Sequence, residues 1–270
     1  MTVKIIGIVL IKNEDIYIEQ ILRNILDFCD KIVVADNLSS DETANKVKLL
    51  RDEVGKIDYH RIKHPGESHR LIEGYANSST WIFAADGDEI YDSLGLIRLR
   101  KKILAGEYDQ WWMILGNVLH CVRLNVLEKY AYGHLTPPCR SMTKLYNFSK
   151  ITSWQGDCPE RLHGGDISFK EGFSPANRLL LYEEMDWDIS FLRCLHLCFM
   201  PRSSHENCES GKVLIRKNIS DKNSEGIYQK MLAVMSLAFG KKQGSRYKRE
   251  MYMRGPVVKK RIDSFFPEEL

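Results

Sequence analysis

The stretch Trp81-Ile82-Phe83-Ala84-Ala85-Asp86-Gly87-Asp88-Glu89 decides how the chain is read. A short apolar run that stops at a turn signal reads as a strand buried on both faces, the kind used in parallel sheets. In extended backbone the side chains at i and i+2 point the same way, so Asp86 and Asp88 form a pair at the strand's end. Gly87 between them lets the chain turn tightly or lets a ligand come close. Two hard oxygen donors from one short segment can hold Mg²⁺ or Mn²⁺ and leave positions open for phosphate oxygens and water. Such an ion neutralises a diphosphate and stabilises it as a leaving group. A solvated turn or a pair of caps uses the same residue types; the apolar strand directly before them favours a site.

Working outward, the same arrangement recurs. Val3 to Ile11 is a β-branched strand that ends in Lys12-Asn13-Glu14-Asp15, and Ile16 to Phe28 carries apolar residues at helical spacing. Lys31 to Ala35 is a second strand followed by Asp36-Asn37. Asp41 to Leu50 reads as a helix, with Ser40 or Asp41 suited to the cap. Ile57 to Ile62 reads as a strand and Glu67 to Asn77 as a helix entered through Pro65-Gly66. Strands alternating with helices predict a parallel sheet with right-handed crossovers, in which ligands sit beyond the carboxyl ends of the strands. Asn13-Glu14, Asp36-Asn37 and Asp86-Asp88 all fall at such ends. Asp36 is there either as part of a polar loop or as an acceptor for a nucleobase N–H or a ribose hydroxyl.

The pattern changes near residue 106. Tyr108 to Val122 and Ser141 to Phe148 read as strands, while Lys212 to Ser220 and Ser224 to Phe239 read as helices. From Gly240 to Arg261 the chain holds nine basic residues and one acidic one, Glu250.

Composition excludes whole classes. The 270 residues include 44% hydrophobic and 28% charged side chains, as in an ordinary globular protein. A net charge of +3 does not point to a nucleic-acid partner. Ile5 to Ile11 is too short to cross a bilayer and lacks a signal cleavage site. The seven cysteines have irregular spacing and no C-x-x-C, which suits reduced thiols in a cytosol.

Taken together, Ile8–Glu14, the run Val-Val-Ala-Asp-Asn-Leu-Ser-Ser-Asp-Glu-Thr at 33–43, Arg70, and Trp81–Glu89 resemble glycosyltransferase family 2. Arg70 stands sixteen residues before Asp86, a spacing similar to that of the family's arginine ahead of its D-x-D motif. The resemblance covers residues 3 to 92. It implies a GT-A fold: α/β, Rossmann-like, with a mostly parallel sheet flanked by helices. Residues 1–106 would be the nucleotide-sugar-binding half, 107–210 the acceptor-binding half, and 211–270 a helical, basic C-terminal extension. The activity implied is metal-dependent, inverting and non-processive transfer of a sugar from a nucleotide-diphosphate sugar, with UDP the first choice of nucleotide. The acceptor would be a hydroxyl of a glycan or lipid-linked glycan.

The resemblance also implies roles. Glu14, Asp36 and Asn37 would face base and ribose, and Arg70 the diphosphate or donor sugar. Asp86, Gly87 and Asp88 would form the D-x-D motif, with Asp88 the more direct ligand to Mn²⁺ or Mg²⁺. Inversion needs a general base for the acceptor hydroxyl. Glu160 is the first candidate and Asp157 the second, in a segment similar to a G-x-x-H-E-x-L stretch from which Cys158-Pro159 departs. His196, in an apolar run, is either a hydrogen-bonded core histidine or a third metal ligand, since neutral imidazole suits Mn²⁺. Arg202-Ser203-Ser204-His205 reads either as a phosphate contact or as a plain loop. The basic tail is either solvated or held against anionic lipid at the periphery of a membrane. A non-catalytic nucleotide-sugar or carbohydrate-binding protein would share the fold. A sugar nucleotidyltransferase would instead want a Gly-rich, basic loop after the first strand, where this chain has Lys12-Asn13-Glu14-Asp15.

Overall fold

The computed structural model describes residues 2–141, 144–155, 162, 164–206 and 250–267. The first half alternates as expected: β1 (Lys4–Ile11), α1 (Ile18–Ile25), β2 (Lys31–Asp36), α2 (Thr43–Val54), β3 (Ile57–Arg61), α3 (Glu67–Arg70), β4 (Thr80–Asp86), β5 (Glu89–Tyr91) and α4 (Ser93–Leu104). The second half is mostly strands: β6 (Met113–Leu115), β7 (Asn117–Asn125), β8 (Tyr130–Leu135), β9 (Lys144–Asn147), β10 (Ile151–Gln155), β11 (Asp166–Phe169) and β12 (Arg178–Leu180). The short helix α5 (Leu181–Glu184), β13 (Arg193–His196) and β14 (Val257–Arg261) complete it.

The large sheet runs β12-β6-β9-β4-β1-β2-β3. β1 pairs parallel with both β2 and β4, and β9 is the antiparallel member between β4 and β6. Both faces are buried, which is why these strands read as unbroken apolar runs. Ile5, Val9, Phe83 and Ala85 pack under α1, α2 and α4, meeting Ile18, Leu22, Val47, Leu96 and Leu99. Ile6, Ile8, Ile82 and Ala84 pack on the other face with Trp112, Tyr146 and Trp154. Burial of α1 follows its apolar period, with Ile18, Ile21, Leu22 and Ile25 all inward. α4 starts on Asp92, whose Oδ1 accepts the Gly95 N–H at 2.9 Å.

A second sheet, β14-β8-β7-β13-β5, is joined to the first by the turn between β4 and β5. β13 pairs parallel with β7 and antiparallel with β5, so His120, His196 and Glu89 stand in one row across three strands.

Three expectations need correction. The helix expected over 67–77 breaks after Arg70; a 3₁₀ turn at Glu73–Tyr75 follows, and Asn77 with φ of 63° closes the segment. Glycines at 66 and 74 and the lack of a helical apolar period explain the break. The strand expected over 108–122 is two strands in different sheets. They part at Gly116, where a Cβ would collide with the Leu192 carbonyl oxygen, so only glycine lets the two backbones pass. The extension expected to be helical ends in a strand: β14 pairs antiparallel with β8, and Ile262, Phe265 and Phe266 behind it enter the core of the second sheet. The helices expected within 212–239 lie outside the described residues. No helix among the described residues is long and apolar enough to cross a membrane.

Candidate active site

The order β4-β1-β2 makes the gap between β4 and β1 the point where the chain's winding reverses, and open α/β sheets bind ligands at the carboxyl ends there. Those ends carry Glu14 after β1 and Asp86-Gly87-Asp88 after β4. They touch: a Cβ on Gly87 would lie 2.9 Å from both Glu14 Cγ and Ile11 Cγ2. Gly87 is therefore required by close approach, and that approach brings the two acidic segments together.

Glu14 and Asp88 are buried, whereas Asp86 is half-buried. The two buried carboxylates converge on one cation. The Arg202 guanidinium pairs through Nη1 with Asp88 Oδ2, and its Nε lies 3.3 Å from Glu14 Oε2. His196 Nε2 approaches the same Asp88 oxygen at 3.5 Å. Strand pairing accounts for this position: the Leu197 N–H donates to the Asp88 carbonyl at 2.8 Å, just past the β5–β13 ladder.

Hydrogen bonding orients His196. His120 Nε2 lies 2.9 Å from the Arg140 carbonyl, so that nitrogen must donate. Burial, and secondarily the neighbouring His196, hold the His120 pKa well below the ordinary imidazole value, so its Nδ1 is an acceptor. The 2.8 Å contact between the two Nδ1 atoms then makes His196 the donor. His196 accordingly turns its other nitrogen, Nε2, toward Asp88. Tyr252 stacks on His120 at 4.7 Å between ring centres.

The segment 202–206 is not a plain loop. It is strapped across the strand ends by Asp15 and Ile16 after β1 and by Asp41 before α2. Ser204 donates through N to Asp15 Oδ1 at 2.7 Å and through Oγ to Asp15 Oδ2 at 2.5 Å. Ser203 Oγ donates to Asp41 Oδ2 at 2.5 Å, and the Ile16 N–H donates to the Arg202 carbonyl at 3.0 Å. Burial alone would raise the Asp41 carboxyl, but the hydrogen bonds from Ser203 and Thr43 outweigh it and hold its pKa below the usual range.

Asp36 is fully buried. Its Oδ1 accepts the Ser39 N–H at 2.8 Å and its Oδ2 the Tyr59 hydroxyl at 2.5 Å. Asn37 is buried beside it, with Nδ2 donating to the Ile62 carbonyl at 3.3 Å. The 36–41 turn is tied to β1 by Asn13, whose Oδ1 accepts the Ser40 N–H at 2.9 Å. Arg70 is exposed at the end of α3 and enters no ion pair among the described residues. Asp157 and Glu160 lie outside the described residues, just past β10. Asp188 is exposed and pairs with Lys260 at 2.7 Å.

Sequence reading missed two members of the site, His120 and Glu89, and offered Arg202 as a phosphate contact or part of a plain loop but not as the partner of Glu14 and Asp88. Arg202 and His120 carry no local motif; only the pairing of distant strands and the strap over Asp15 and Asp41 bring them in. Glu89 was visible as the residue after Asp88. It is fully buried, and its Oε2 accepts from the Asp86 N–H at 3.0 Å and the Tyr91 hydroxyl at 2.7 Å. Burial first, and then the charge of Asp86, raise its pKa above the usual carboxylate range.

No known family profile matches the chain. It is 27% identical over 139 residues to the SPbeta prophage-derived glycosyltransferase SunS of Bacillus subtilis strain 168, a match that covers 51% of this chain and 30% of that protein. Among solved structures it is similar to the mannosyltransferase PcManGT of Pyrobaculum calidifontis, a complex with GDP-Man and Mn²⁺ (TM-score 0.30, 18% identity, 44% of this chain and 36% of that one). It is also similar to glucosyl-3-phosphoglycerate synthase of Mycobacterium tuberculosis (TM-score 0.32, 18% identity, 43% of this chain and 44% of that one).

Proposed function

We propose that the chain is a glycosyltransferase that uses a divalent cation to move a sugar from a nucleotide-diphosphate sugar to an acceptor hydroxyl, with inversion at the anomeric carbon. The observation that carries this reading is the convergence of buried Glu14 and Asp88, with His196, at the β1–β4 gap. Buried carboxylates demand positive charge, and a carboxylate oxygen beside an imidazole nitrogen is a pair that, with the imidazole neutral, fits Mn²⁺ or Mg²⁺. The similarity to SunS over half of this chain supports the same class of reaction.

Asp88 and His196 would hold the cation, with Asp86 beside them. Bound there, the cation would neutralise the donor diphosphate as the leaving group. Arg202 would exchange its place on Asp88 for the donor phosphates, keeping its charge at the reaction centre. Glu14, the 36–41 turn held by Asp36, and Asn37 would wall the nucleoside. Arg70 would meet the donor from α3. Glu160, or failing it Asp157, would take the proton from the acceptor hydroxyl. UDP remains the nucleotide to try first, and glycans or lipid-linked glycans the acceptors; contact of the basic tail with anionic lipid belongs to this same reading.

The test is Mn²⁺-dependent hydrolysis of a panel of nucleotide sugars. Release of free sugar supports the transferase. Nucleotide-sugar binding without turnover would move the reading to a binding protein. Consumption of a nucleoside triphosphate with a sugar phosphate would move it to a nucleotidyltransferase. Glu160→Gln should impair transfer far more than donor binding; normal transfer by that variant removes Glu160 as the base.

A further inference from the structure

A cavity of about 400 Å³ opens beside the candidate active site, and its wall is cationic. Arg140, Lys144 and Arg178 line it together with the hydroxyls of Ser141, Tyr146 and Tyr182, and no Asp or Glu lines it among the described residues. Strand register fixes its position. Lys144 pairs with Ala84, Met113 with Tyr146, and Arg178 with Met113. Directly paired residues present their side chains on one face, and residues two apart along a strand share that face. Asp86 therefore faces the same side as Ala84, Lys144, Tyr146 and Arg178. The edge is shared too: Asp86, Leu115 and Leu180 are the carboxyl ends of β4, β6 and β12, and Lys144 is the amino end of the antiparallel β9.

At about 4.8 Å per strand and about 3.3 Å per residue, Lys144, level with Ala84, lies roughly 8 Å from Asp86, and Arg178, three strands over and level with Ile82, lies roughly 20 Å away, so the cavity runs from beside Asp86 back along this face of the sheet. A second connection runs through the backbone. The Arg140 carbonyl accepts from His120, which bonds His196, which faces Asp88. The cavity thus adjoins the candidate cation site but lies on the far side of it from Glu14 and Asp36, where β1 and β2 end.

We propose that this cavity seats an anionic group, a phosphate or a carboxylate, carried by the sugar acceptor. Two guanidinium groups, an ammonium and the tyrosine hydroxyls match the oxygens of such a group by charge-assisted hydrogen bonds, while the Ser141 hydroxyl donates to the Gly116 carbonyl at 2.8 Å. This deepens the transferase reading and rests on it: the acceptor hydroxyl is delivered to the donor because its own charged group is anchored two or three strands away. The same chemistry could serve the donor's diphosphate, and the experiment separates the two.

Inorganic phosphate is titrated into the full chain by calorimetry, with Mn²⁺ and without UDP, and again with Mn²⁺ and saturating UDP; UDP is titrated separately. Phosphate is expected to bind with UDP already in place. Arg178→Ala should weaken phosphate about tenfold while leaving UDP affinity within about twofold. Arg178 is exposed, so this variant folds, and Arg178→Lys, which keeps the charge, should recover most of the loss. Phosphate binding that UDP abolishes, or an Arg178→Ala variant that weakens UDP as much as phosphate, assigns the cavity to the donor and overturns the proposal. If UDP binds and phosphate does not, the proposal falls and the transferase reading stands. If phosphate binds and UDP does not, the transferase reading falls and takes the acceptor assignment with it.

Discussion

His120 touches no proposed substrate, yet it decides which nitrogen of His196 meets Asp88. A metal-binding imidazole is commonly held in its tautomer by a partner on the other ring nitrogen, and losing that partner typically lowers metal affinity about 10- to 100-fold. His120→Phe should do this to Mn²⁺, while His120→Asn, which keeps an acceptor oxygen near the position of Nδ1, should retain most of the affinity. Nitrogen-15 NMR of the wild type should find His196 protonated on Nδ1. Equal Mn²⁺ affinity in the Phe variant would remove His120 from this role. None of this was legible in the chain, where position 120 is one histidine in an apolar strand. Asp88 and His196 were legible as types, because an acidic pair after a strand and a polar ring in an apolar run are both unusual. What joined them was the register of β5 on β13, which a sequence does not display.

At the level of elements, the strap from Arg202 to Glu206 ties the end of β13 to the loops after β1 and before α2. Its bond to Asp41 gives a pH signature. The folded-state pKa of Asp41 is lowered, so the folded state binds fewer protons than the unfolded state as pH falls. The stabilisation is complete above the unfolded aspartate value of about 3.9 and is lost as pH drops below it, through the lowered native value. Asp41→Asn should therefore flatten the fall in Tm below about pH 4. A pH profile parallel to that of the wild type would refute the coupling. The elements of the first half were readable because α1 and the parallel strands have clear periods and sharp polar stops. α3 was overextended, because Glu67–Asn77 has helix-forming residues but no apolar face to continue the helix past Arg70. β6 and β7 were fused, because Gly116 marks a change of sheet that looks in sequence like one aromatic-rich strand.

Across the whole molecule, the second sheet is closed by residues far from its other strands in sequence. Phe265 is fully buried and stacks on Trp187 at 5.8 Å between ring centres, while Asn24 of α1 donates to the carbonyls of both Phe265 and Tyr91 at 2.7 Å. Ile262, Phe265 and Phe266 are thus part of the core of the second sheet, which includes β5 and β13. Phe265→Ala should cost about 3–5 kcal/mol in chemical denaturation, and a loss under about 1 kcal/mol would show that the segment is peripheral. The helical extension expected over 211–270 misses it, since β14 gains its structure by pairing with β8. The central claim is that donor and divalent cation meet at the β1–β4 gap through Asp88. Its most direct test is calorimetric titration of UDP-glucose and GDP-mannose into wild type and Asp88→Asn, each with and without Mn²⁺. The account predicts that at least one donor binds the wild type only with Mn²⁺, and that Asp88→Asn loses this Mn²⁺-dependent binding while keeping its circular dichroism spectrum. Binding that is equally tight with and without Mn²⁺, or unchanged in Asp88→Asn, would contradict it.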